Sequence, residues 1–508
     1  MRDLETSIRE SVVLVRAPAS RPRLRILRRS PLADLRRRSV GPLDLFSQSI
    51  SAVAPSAAGA TIPVALFAVA GDASTLSLAL GFVLIALVVA TVTQYARRMV
   101  TSGSVYSYAA WAGGVRSATA AGAALLVGTL GITVGVLVGA ASAAEVLLRY
   151  ALPSVDTAAW TPVVLTIVAL LGIASFALGV RSSTRITLVV ELVAVLVVVV
   201  IMIGLVVVNW GVLPPIVPSD TDPAAVGAGA AVAVGLFVGY ETSATLGAES
   251  RRPFRDVPRS FVLSVGVAAV IFVLSLLGQY AGAEIIGEFD SLGDAHPASP
   301  GTSPALVLVL NVGFLLSYLA AFIASLNGVI RLVFTLGRDG LLPSLFGRVD
   351  RRNRLPMLAA VAVTALVFIT AQLSTAMSGD VRSVASAALS TSAVGCGVAY
   401  AIACLLLPRF RRRIGEPLFA ASVMAYAVGT LLLTVVACFV GWNIQVGDWS
   451  IAIPTAGFAA VWLFFVIRAR SRGIVDVGVY DQTSIPDLVP ADVEARFGST
   501  PHDSSARP

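Results

Sequence analysis

Long apolar stretches alternate with short polar segments along the chain. A run of about 18 or more apolar residues with few charges is typical of a helix that crosses a membrane. This pattern predicts an all-α integral membrane protein with twelve transmembrane helices. The predicted spans are residues 43–70, 74–96, 118–148, 162–180, 186–208, 223–250, 260–283, 304–334, 356–376, 383–407, 418–440 and 451–467.

The arginines predict the orientation of these spans. The chain has 37 basic residues and all of them are Arg, because it contains no Lys. Cytoplasmic loops of membrane proteins carry an excess of basic residues. With the N-terminus placed inside, 35 arginines fall in inner segments and only two, Arg149 and Arg382, fall outside. We therefore expect a multi-pass protein of the plasma (cytoplasmic) membrane with both termini in the cytoplasm.

Composition excludes several classes of protein. The chain is 56% hydrophobic and 13% charged, whereas soluble domains are roughly 25% charged. Its net charge of +8 does not indicate nucleic-acid binding, because no basic patch interleaves with aromatic residues. The arginines instead suit contact with anionic membrane lipid.

Cysteine and histidine offer no catalytic or metal chemistry. The cysteines Cys396, Cys404 and Cys438 all lie within predicted spans, so no disulfide framework is indicated. His296 and His502 are isolated in a loop and a tail, which does not resemble a zinc-ligand cluster. We expect no metal, no cofactor and no enzymatic activity.

The two ends of the chain do not resemble folded domains. Residues 1–40 and 471–508 are polar and lack a sustained apolar run. They are predicted to be cytoplasmic disordered tails, of which residues 1–20 and 480–508 are dispensable for transport. A short amphipathic helix at residues 23–38, lying on the membrane, is an alternative to a plain solvated basic tail.

The first span contains an interruption. Pro55 donates no backbone N–H and disfavours helix at Ala54, and only small residues follow it. Interrupted helices mark the substrate site in secondary transporters, whereas the alternative is a proline kink with small residues for helix packing. The candidate substrate-binding residues here are Ala54, Pro55, Ser56, Ala57, Ala58 and Gly59.

The sixth span contains a second interruption, followed by an acid in an otherwise apolar stretch. Spans one and six are corresponding members of two five-helix halves, and paired interruptions are a sign of inverted repeats. A charged group inside a membrane is by default a functional hypothesis. The candidate substrate-binding residues are Gly235, Phe237, Val238, Gly239 and Tyr240, and the acid is Glu241.

Other polar and small residues favour structural roles. Gly131, Gly135 and Gly139 share one face of the third span, which lets helices pack closely. Glu191 lies near the inner end of the fifth span, where it is expected to snorkel to the cytoplasmic face or to pair with a loop arginine. On the eighth span, Asn311, Ser317, Ser325 and Asn327 suit interhelical hydrogen bonds, and its hydroxyls also suit a sodium site.

Three local stretches resemble the amino acid–polyamine–organocation transporter superfamily of amino acid permeases. Residues 96–108 are similar to its first inner loop, with the pattern Pro-x-x-Gly-x-x-Tyr in which Val100 replaces the Pro. Residues 237–259 resemble its helix 6 break and the following Pro-x-x-x-x-Pro-Arg element. Residues 326–343 are similar to the end of its helix 8.

The resemblance implies a LeuT-like fold. Two inverted five-helix repeats, residues 41–210 and 211–410, would be followed by two peripheral helices within residues 411–470. It also implies a small amine-bearing substrate, most often an α-amino acid, held at the two breaks. The helix N-terminus after the first break suits a carboxylate, and exposed carbonyls at the second suit an ammonium group.

This sequence departs from the family at Ser56-Ala57-Ala58, where Gly-Ser-Gly is common, and it lacks the helix 5 Lys that replaces sodium in some members. The favoured function is a secondary active transporter that moves amino acids by alternating access. Alternatives are a carrier of polyamines or other amines, and a membrane sensor that binds the same ligand. The expected partners are a small amino acid or amine, membrane lipid and a coupling ion.

Glu241 is the candidate for proton coupling, with sodium as the alternative coupling ion. It has no Arg within nine residues on either side, and removal from water favours the neutral form of a carboxyl group. The alternative is a protonated Glu that only hydrogen-bonds a neighbouring helix.

Overall fold

The computed structural model of the chain describes residues 30–481, with gaps at 31, 33, 36, 153–156, 213, 216–221, 283–303, 351–353 and 479. His296, His502 and the outer parts of both predicted tails lie outside the described residues. So does most of the amphipathic helix considered for residues 23–38, of which the described part forms turns and bends rather than helix.

The described residues form α-helices joined by turns and short 3₁₀ helices, and their extended pairing is limited to two isolated β-bridges. The α-helices are α1 (Pro42–Val53), α2 (Pro55–Ala70), α3 (Ser74–Ala96), α4 (Val105–Gly113), α5 (Val115–Ala151), α6 (Thr161–Ala177), α7 (Val180–Val208), α8 (Pro223–Gly235), α9 (Pro253–Ala281), α10 (Pro304–Arg338), α11 (Met357–Ser378), α12 (Val381–Arg413), α13 (Phe419–Gln445) and α14 (Ala452–Ser471). The 3₁₀ helices are Gly71–Ala73, Thr157–Trp160, Tyr240–Glu249, Ser344–Gly347 and Trp449–Ile451.

Ten helical segments in the described residues are long and apolar enough to cross a membrane. One of them, Pro63–Ala96, combines parts of the first two predicted spans. The helix Thr161–Ala177, at the position of the fourth predicted span, is apolar but shorter than these ten segments. Each of the twelve predicted stretches overlaps a helix. The chain is thus an all-helical, multi-pass membrane protein, and the count of twelve crossings stays a prediction.

Sequence signals at the helix ends explain where several helices begin. Proline occupies the first turn of α1, α2, α8 and α9, where its missing N–H costs no helical hydrogen bond. Aspartates cap the starts of α8 and α12. Asp222 accepts a hydrogen bond from the N–H of Ala224, and Asp380 accepts from the N–H groups of Arg382 and Ser383. These carboxylates satisfy N–H groups that have no partner within their helix.

Small residues bring α5 against its neighbours. A Cβ atom built on Gly131 would lie 2.9 Å from the carbonyl oxygen of Ala388, and one on Gly139 would lie 2.6 Å from the ring of Tyr318. One on Gly128 would lie 2.5 Å from the backbone nitrogen of Cys396 in α12. The prediction that glycines of the third span serve close helix packing is confirmed for Gly131 and Gly139, whereas a Cβ atom on Gly135 would lie at an ordinary contact distance of 3.4 Å.

A segment after α14 packs against the predicted cytoplasmic side of the helices. Tyr480 pairs with Thr101 in an antiparallel β-bridge, and the N–H of Asp481 donates to the carbonyl of Val100 at 2.8 Å. The N–H of Gly478 donates to the carboxylate of Asp339 at 2.7 Å. Gly478, Tyr480 and Asp481, which belong to the predicted C-terminal tail, therefore contact the loop before α4 and the end of α10.

The segment before α1 contacts the same region. The carboxylate of Asp481 accepts hydrogen bonds from Ser30 Oγ at 2.5 Å and from Arg37. Asp34 forms an ion pair with Arg338 at 2.6 Å, and Val40 forms a parallel β-bridge with Ser250. The two ends of the described chain are thus joined to each other and to the helices.

We expect truncation after Asp481 to leave stability unchanged and truncation after Gly473 to reduce it. The shorter chain loses the Thr101–Tyr480 bridge and the bonds of Gly478 and Asp481, at about 1 kcal/mol for each net hydrogen bond. Apparent melting temperatures of the two purified variants in detergent measure the difference. Equal melting temperatures would show that these contacts do not contribute to stability.

Candidate functional site

The first helix is interrupted at a single residue. α1 ends at Val53, α2 begins at Pro55, and Ala54 between them has the left-handed dihedral angles φ 53° and ψ 57°. A non-glycine residue rarely adopts this conformation, which costs of order 1–3 kcal/mol. Pro55 explains the position, because it cannot donate a helical hydrogen bond and its ring disfavours helix at the preceding residue.

The second interruption follows α8. That helix ends at Gly235, residues 236–239 form turns, and the chain continues as the 3₁₀ helix Tyr240–Glu249. Gly239 has φ 107°, a value that a residue with a Cβ atom rarely adopts. The expected interruptions of both helices are therefore present, and the second coincides with the predicted residues.

The two interruptions contact each other. A Cβ atom on Gly239 would lie 2.8 Å from the carbonyl carbon and oxygen of Ala52, so only glycine permits this approach. Ser49 Oγ donates to the carbonyl of Tyr240 at 2.6 Å, and Thr242 Oγ1 donates to that of Gln48 at 3.1 Å. The end of α1 is thus bonded to the start of the 3₁₀ helix.

Glu241 is buried at this junction. Its carboxylate accepts a hydrogen bond from the Tyr400 hydroxyl at 2.6 Å and one from the N–H of Gly239 at 3.1 Å. Its backbone carbonyl accepts from Ser104 Oγ at 3.1 Å. Glu241 makes no ion pair with any described residue. It therefore links the broken helix to α12 and to the loop before α4.

A small cavity lies beside Glu241. The space in which the centre of a water molecule can lie is about 20 Å³. The cavity therefore has room for a water molecule but not for an amino acid. Glu241 is the one charged residue in its described lining. That lining comprises Ala52, Gly103, Ser104, Leu125, Thr129, Ile132, Val238, Gly239, Glu241, Thr242, Thr245, Ser325, Gly328 and Leu332.

The candidate substrate-binding residues have different surroundings. Val238 and Gly239 line the cavity, whereas Ala54–Gly59, Gly235, Phe237 and Tyr240 are not among its lining residues. The ring of Phe237 packs edge-on against Phe272, with centroids 5.0 Å apart. That of Tyr240 packs between Phe261 and Tyr400. The two aromatic side chains therefore pack against neighbouring rings and do not line the cavity.

Glu191 has partners that its sequence position did not indicate. Its Oε1 accepts hydrogen bonds from the N–H of Ser56 at 3.3 Å, from Ser56 Oγ at 3.0 Å and from Ser317 Oγ at 3.1 Å. The side chain is 2% exposed and makes no ion pair within the described chain. The expectation that Glu191 snorkels or pairs with a loop arginine is wrong. Its hydrogen-bond donors are instead Ser56, at the N-terminus of α2, and Ser317 of α10.

Ser317 and Asn327 make the interhelical bonds expected of the eighth span. Ser317 Oγ accepts from the N–H of Ala57 at 3.2 Å, and Asn327 Nδ2 donates to Ser183 at 3.3 Å. Further along α10, Arg331 forms a buried ion pair with Glu249 at the end of the 3₁₀ helix. These contacts tie α10 to both interrupted helices.

No group of three or more His, Cys, Asp or Glu side chains that could hold a metal ion occurs in the described residues. The chemistry of the junction is instead that of hydrogen-bond acceptors, two buried carboxylates and hydroxyl groups. Sequence reasoning identified Glu241 from its position in an apolar stretch. It did not identify Tyr400, whose sequence signal is a lone tyrosine in an apolar helix.

The sequence model of the amino acid permease family matches residues 40–468. A protein named as an uncharacterized transporter of Mycobacterium tuberculosis is 30% identical over 171 residues, 33% of this chain and 36% of the relative. Cationic amino acid transporter 4, vacuolar, of Arabidopsis thaliana is 26% identical over 145 residues, 27% and 23% of the two chains.

The branched-chain amino acid permease BcaP of Bacillus subtilis is 24% identical over 134 residues, 26% of this chain and 28% of the relative. The matched part of the chain thus spans little more than a third, at most, of these curated relatives. Their names differ in the solute that they give, so similarity of this extent does not select one.

Substitution of Gly239 by alanine should disrupt the junction. The added methyl group meets the carbonyl of Ala52 and the backbone has φ 107°, so we expect a loss of about 1–3 kcal/mol in stability. Gly266→Ala is the matched control, because nothing lies within 4 Å of a Cβ at this position in α9. Melting temperature in detergent reports the effect, and two variants that melt together would contradict the described contact.

Proposed function

We propose, since the chain belongs to the amino acid permease family, that it is a secondary active transporter that carries small amine-bearing solutes across the cytoplasmic membrane. Amino acids are the class that the family name and the names of two relatives indicate. The proposed architecture has twelve transmembrane helices in a LeuT-like arrangement, with both termini in the cytoplasm. Two inverted five-helix repeats precede two peripheral helices in this proposal.

The single observation that carries the proposal is the contact between two interrupted helices. Gly239 lies against Ala52, and side chains of each broken helix bond to carbonyls of the other. Irregular backbone at membrane depth is tolerated only where it is buried in protein or lines a cavity. Here it is buried and lies beside a cavity, which supports the proposal of a transporter site at this junction.

The size of that cavity supports a mechanism of alternating access. About 20 Å³ holds a water molecule and excludes an amino acid, so a solute can enter only when helices move. We propose that α1 and the 3₁₀ helix move together, because Ser49 and Thr242 bond them to each other. The glycine contacts between α5 and α12 would provide the rigid part of the protein.

Glu241 is proposed to couple proton movement to this change. Its carboxyl group lies in the cavity lining and has no ion-pair partner in the described part of the chain. It can exchange a proton only when water reaches it. A movement that opens the cavity to one side would therefore set the side with which Glu241 equilibrates.

Purified protein in liposomes should accumulate a labelled amino acid or amine against its gradient when an inward proton gradient is imposed. A secondary transporter derives accumulation from the ion gradient, so dissipation of the proton gradient should abolish it. A sodium gradient alone should have no effect if the coupling ion is the proton. Uptake equal to that of protein-free liposomes, for a panel of amino acids and amines, would contradict the transport function.

Glu241→Gln should retain solute exchange and lose the pH dependence of net uptake. The amide keeps the acceptor for Tyr400 and Gly239 but carries no titratable proton. Glu416→Gln is the control, because Glu416 is about half exposed and lies in an ion pair with Arg98. Net uptake by both variants is measured over a series of pH values. An unchanged profile in Glu241→Gln would leave Glu241 only its structural bonds.

A further inference from the structure

We infer that one anionic phospholipid binds at a defined site on this protein, where arginines at the starts of α7 and α9 hold its phosphate beside the first turn of α1. A general excess of arginine predicts only loose attraction of anionic lipid to a whole surface. The inference concerns a single site and goes beyond the proposed transport function. The juxtaposition that carries it is two exposed helix faces, each beginning with arginines, that meet at the start of α1.

One face of α7 is exposed along its length and begins with arginine. Arg181 and Arg185 are exposed and lie one turn apart. At spacings of three or four residues, this face continues with the exposed apolar residues Val189, Leu192, Leu196, Val200, Ile203 and Val207. In a membrane protein a long exposed apolar face contacts the acyl chains of lipid. The two arginines at its end therefore lie at the level of the lipid headgroups.

The helix α9 has the same arrangement. Arg255 and Arg259 are exposed in its first two turns. The face continues through Gly266, beside which a Cβ atom would meet nothing within 4 Å, and through the exposed residues Val262, Val270 and Val273. A second lipid-facing surface thus also ends in a pair of arginines.

The two helices are neighbours. They pack against each other, and a Cβ atom on Gly278 of α9 would lie 3.0 Å from the Cα atom of Met202 in α7. Both residues lie roughly six to seven turns from the starts of their helices. The starts of α7 and α9 are therefore at similar heights, and a single headgroup can lie near both.

The start of α1 joins the two groups of arginines. Arg185 Nε lies 3.7 Å from the carboxylate of Asp44, in the first turn of α1. The N–H of Arg251, just before α9, donates to the carbonyl of Val40 at 3.1 Å. Val40 and Asp44 are four positions apart, a distance of at most about 14 Å for an extended chain. Arginines of both groups therefore surround one small region.

Acidic side chains do not neutralise this region. The side chains of Arg181, Arg255 and Arg259 make no ion pair or hydrogen bond with any described residue. The Arg185 side chain is 58% exposed and only 3.7 Å from Asp44 at its nearest atom, which leaves most of its donors open. Like charges one turn apart on a helix repel each other, and this occurs on both α7 and α9. An anion between the two pairs would remove that repulsion.

The chemistry of the region favours a phospholipid over a soluble anion. Arginine presents its N–H donors as a planar fork that matches a phosphate group. The exposed apolar faces of α7 and α9 continue directly from these arginines, so the acyl chains of the same molecule have a surface to contact. A free phosphate would use the arginines alone.

The test measures lipid binding to the purified protein in a non-ionic detergent. The probes are phosphatidylglycerol, phosphatidylcholine with the same acyl chains, and inorganic phosphate. Phosphatidylglycerol should raise the melting temperature, and one molecule should stay bound in native mass spectrometry. The other two probes should have little effect. An equal effect of phosphatidylcholine would show that acyl chains alone bind, and an equal effect of inorganic phosphate would show a soluble-anion site, and either result would overturn the inference.

A pair of substitutions tests the location of the site. Arg181→Gln/Arg255→Gln should weaken the binding of phosphatidylglycerol by about tenfold or more, because each arginine near an anionic lipid contributes about fivefold. Arg409→Gln/Arg412→Gln is the matched control. It removes the same charge from exposed positions at the end of α12, where the preceding residues Ile402, Leu405 and Pro408 are not exposed. This control should bind the lipid as the wild type does.

Equal weakening by the two pairs would show diffuse attraction to the basic surface and would overturn the site, as would wild-type binding by Arg181→Gln/Arg255→Gln. If the glutamine variant does not fold, Arg181→Lys/Arg255→Lys takes its place, because it keeps the charge and loses the fork. It should bind less tightly than Arg409→Lys/Arg412→Lys, and equal binding by these two would contradict the inference. None of these measurements needs transport, so a protein without uptake activity still decides the lipid site.

Discussion

Every backbone N–H and carbonyl that lies away from water must have a partner, and the two interrupted helices are where this protein satisfies that constraint with side chains. Each interruption uses its own glutamate. Glu191 accepts from the N–H of Ser56 after the first, and Glu241 accepts from the N–H of Gly239 in the second. Serine and threonine hydroxyls donate to nearby carbonyls. The candidate site is therefore largely the set of groups that make irregular backbone tolerable inside a membrane.

The same groups connect the interrupted helices to the rest of the structure. Through Ser317, the first interruption is bonded to α10, and through Tyr400 the second is bonded to α12. The buried Arg331–Glu249 pair then fixes the far end of the 3₁₀ helix to α10. Removal of one partner from such a buried pair is strongly destabilising. The protein thus combines backbone that departs from regular helix with charged and polar links that hold its position.

Sequence patterns predicted the apolar helices and both interruptions, because these depend on local chemistry. Pro55 cannot continue a helix and Gly239 tolerates a positive φ, whatever surrounds them. The partners of the glutamates could not be predicted in this way. Ser56 and Glu191 are 135 positions apart, and Glu241 and Tyr400 are 159 apart. The position of Glu191 in an apolar helix indicates burial, but only the packing of α2, α7 and α10 supplies its donors.

The contact of Asp481 with Ser30 and Arg37 has a consequence for biogenesis. These residues are separated by 451 positions or slightly fewer, and all of the described helices lie between them. The strand-like pairing of Thr101 with Tyr480 likewise joins an early loop to a late segment. A ribosome releases residue 101 long before residue 480. The loop that contains Thr101 therefore stays unpaired with Tyr480 while the later helices insert. These contacts therefore form only after residue 481 has been synthesised, and a chain that stops before residue 480 leaves the loop at Thr101 unpaired.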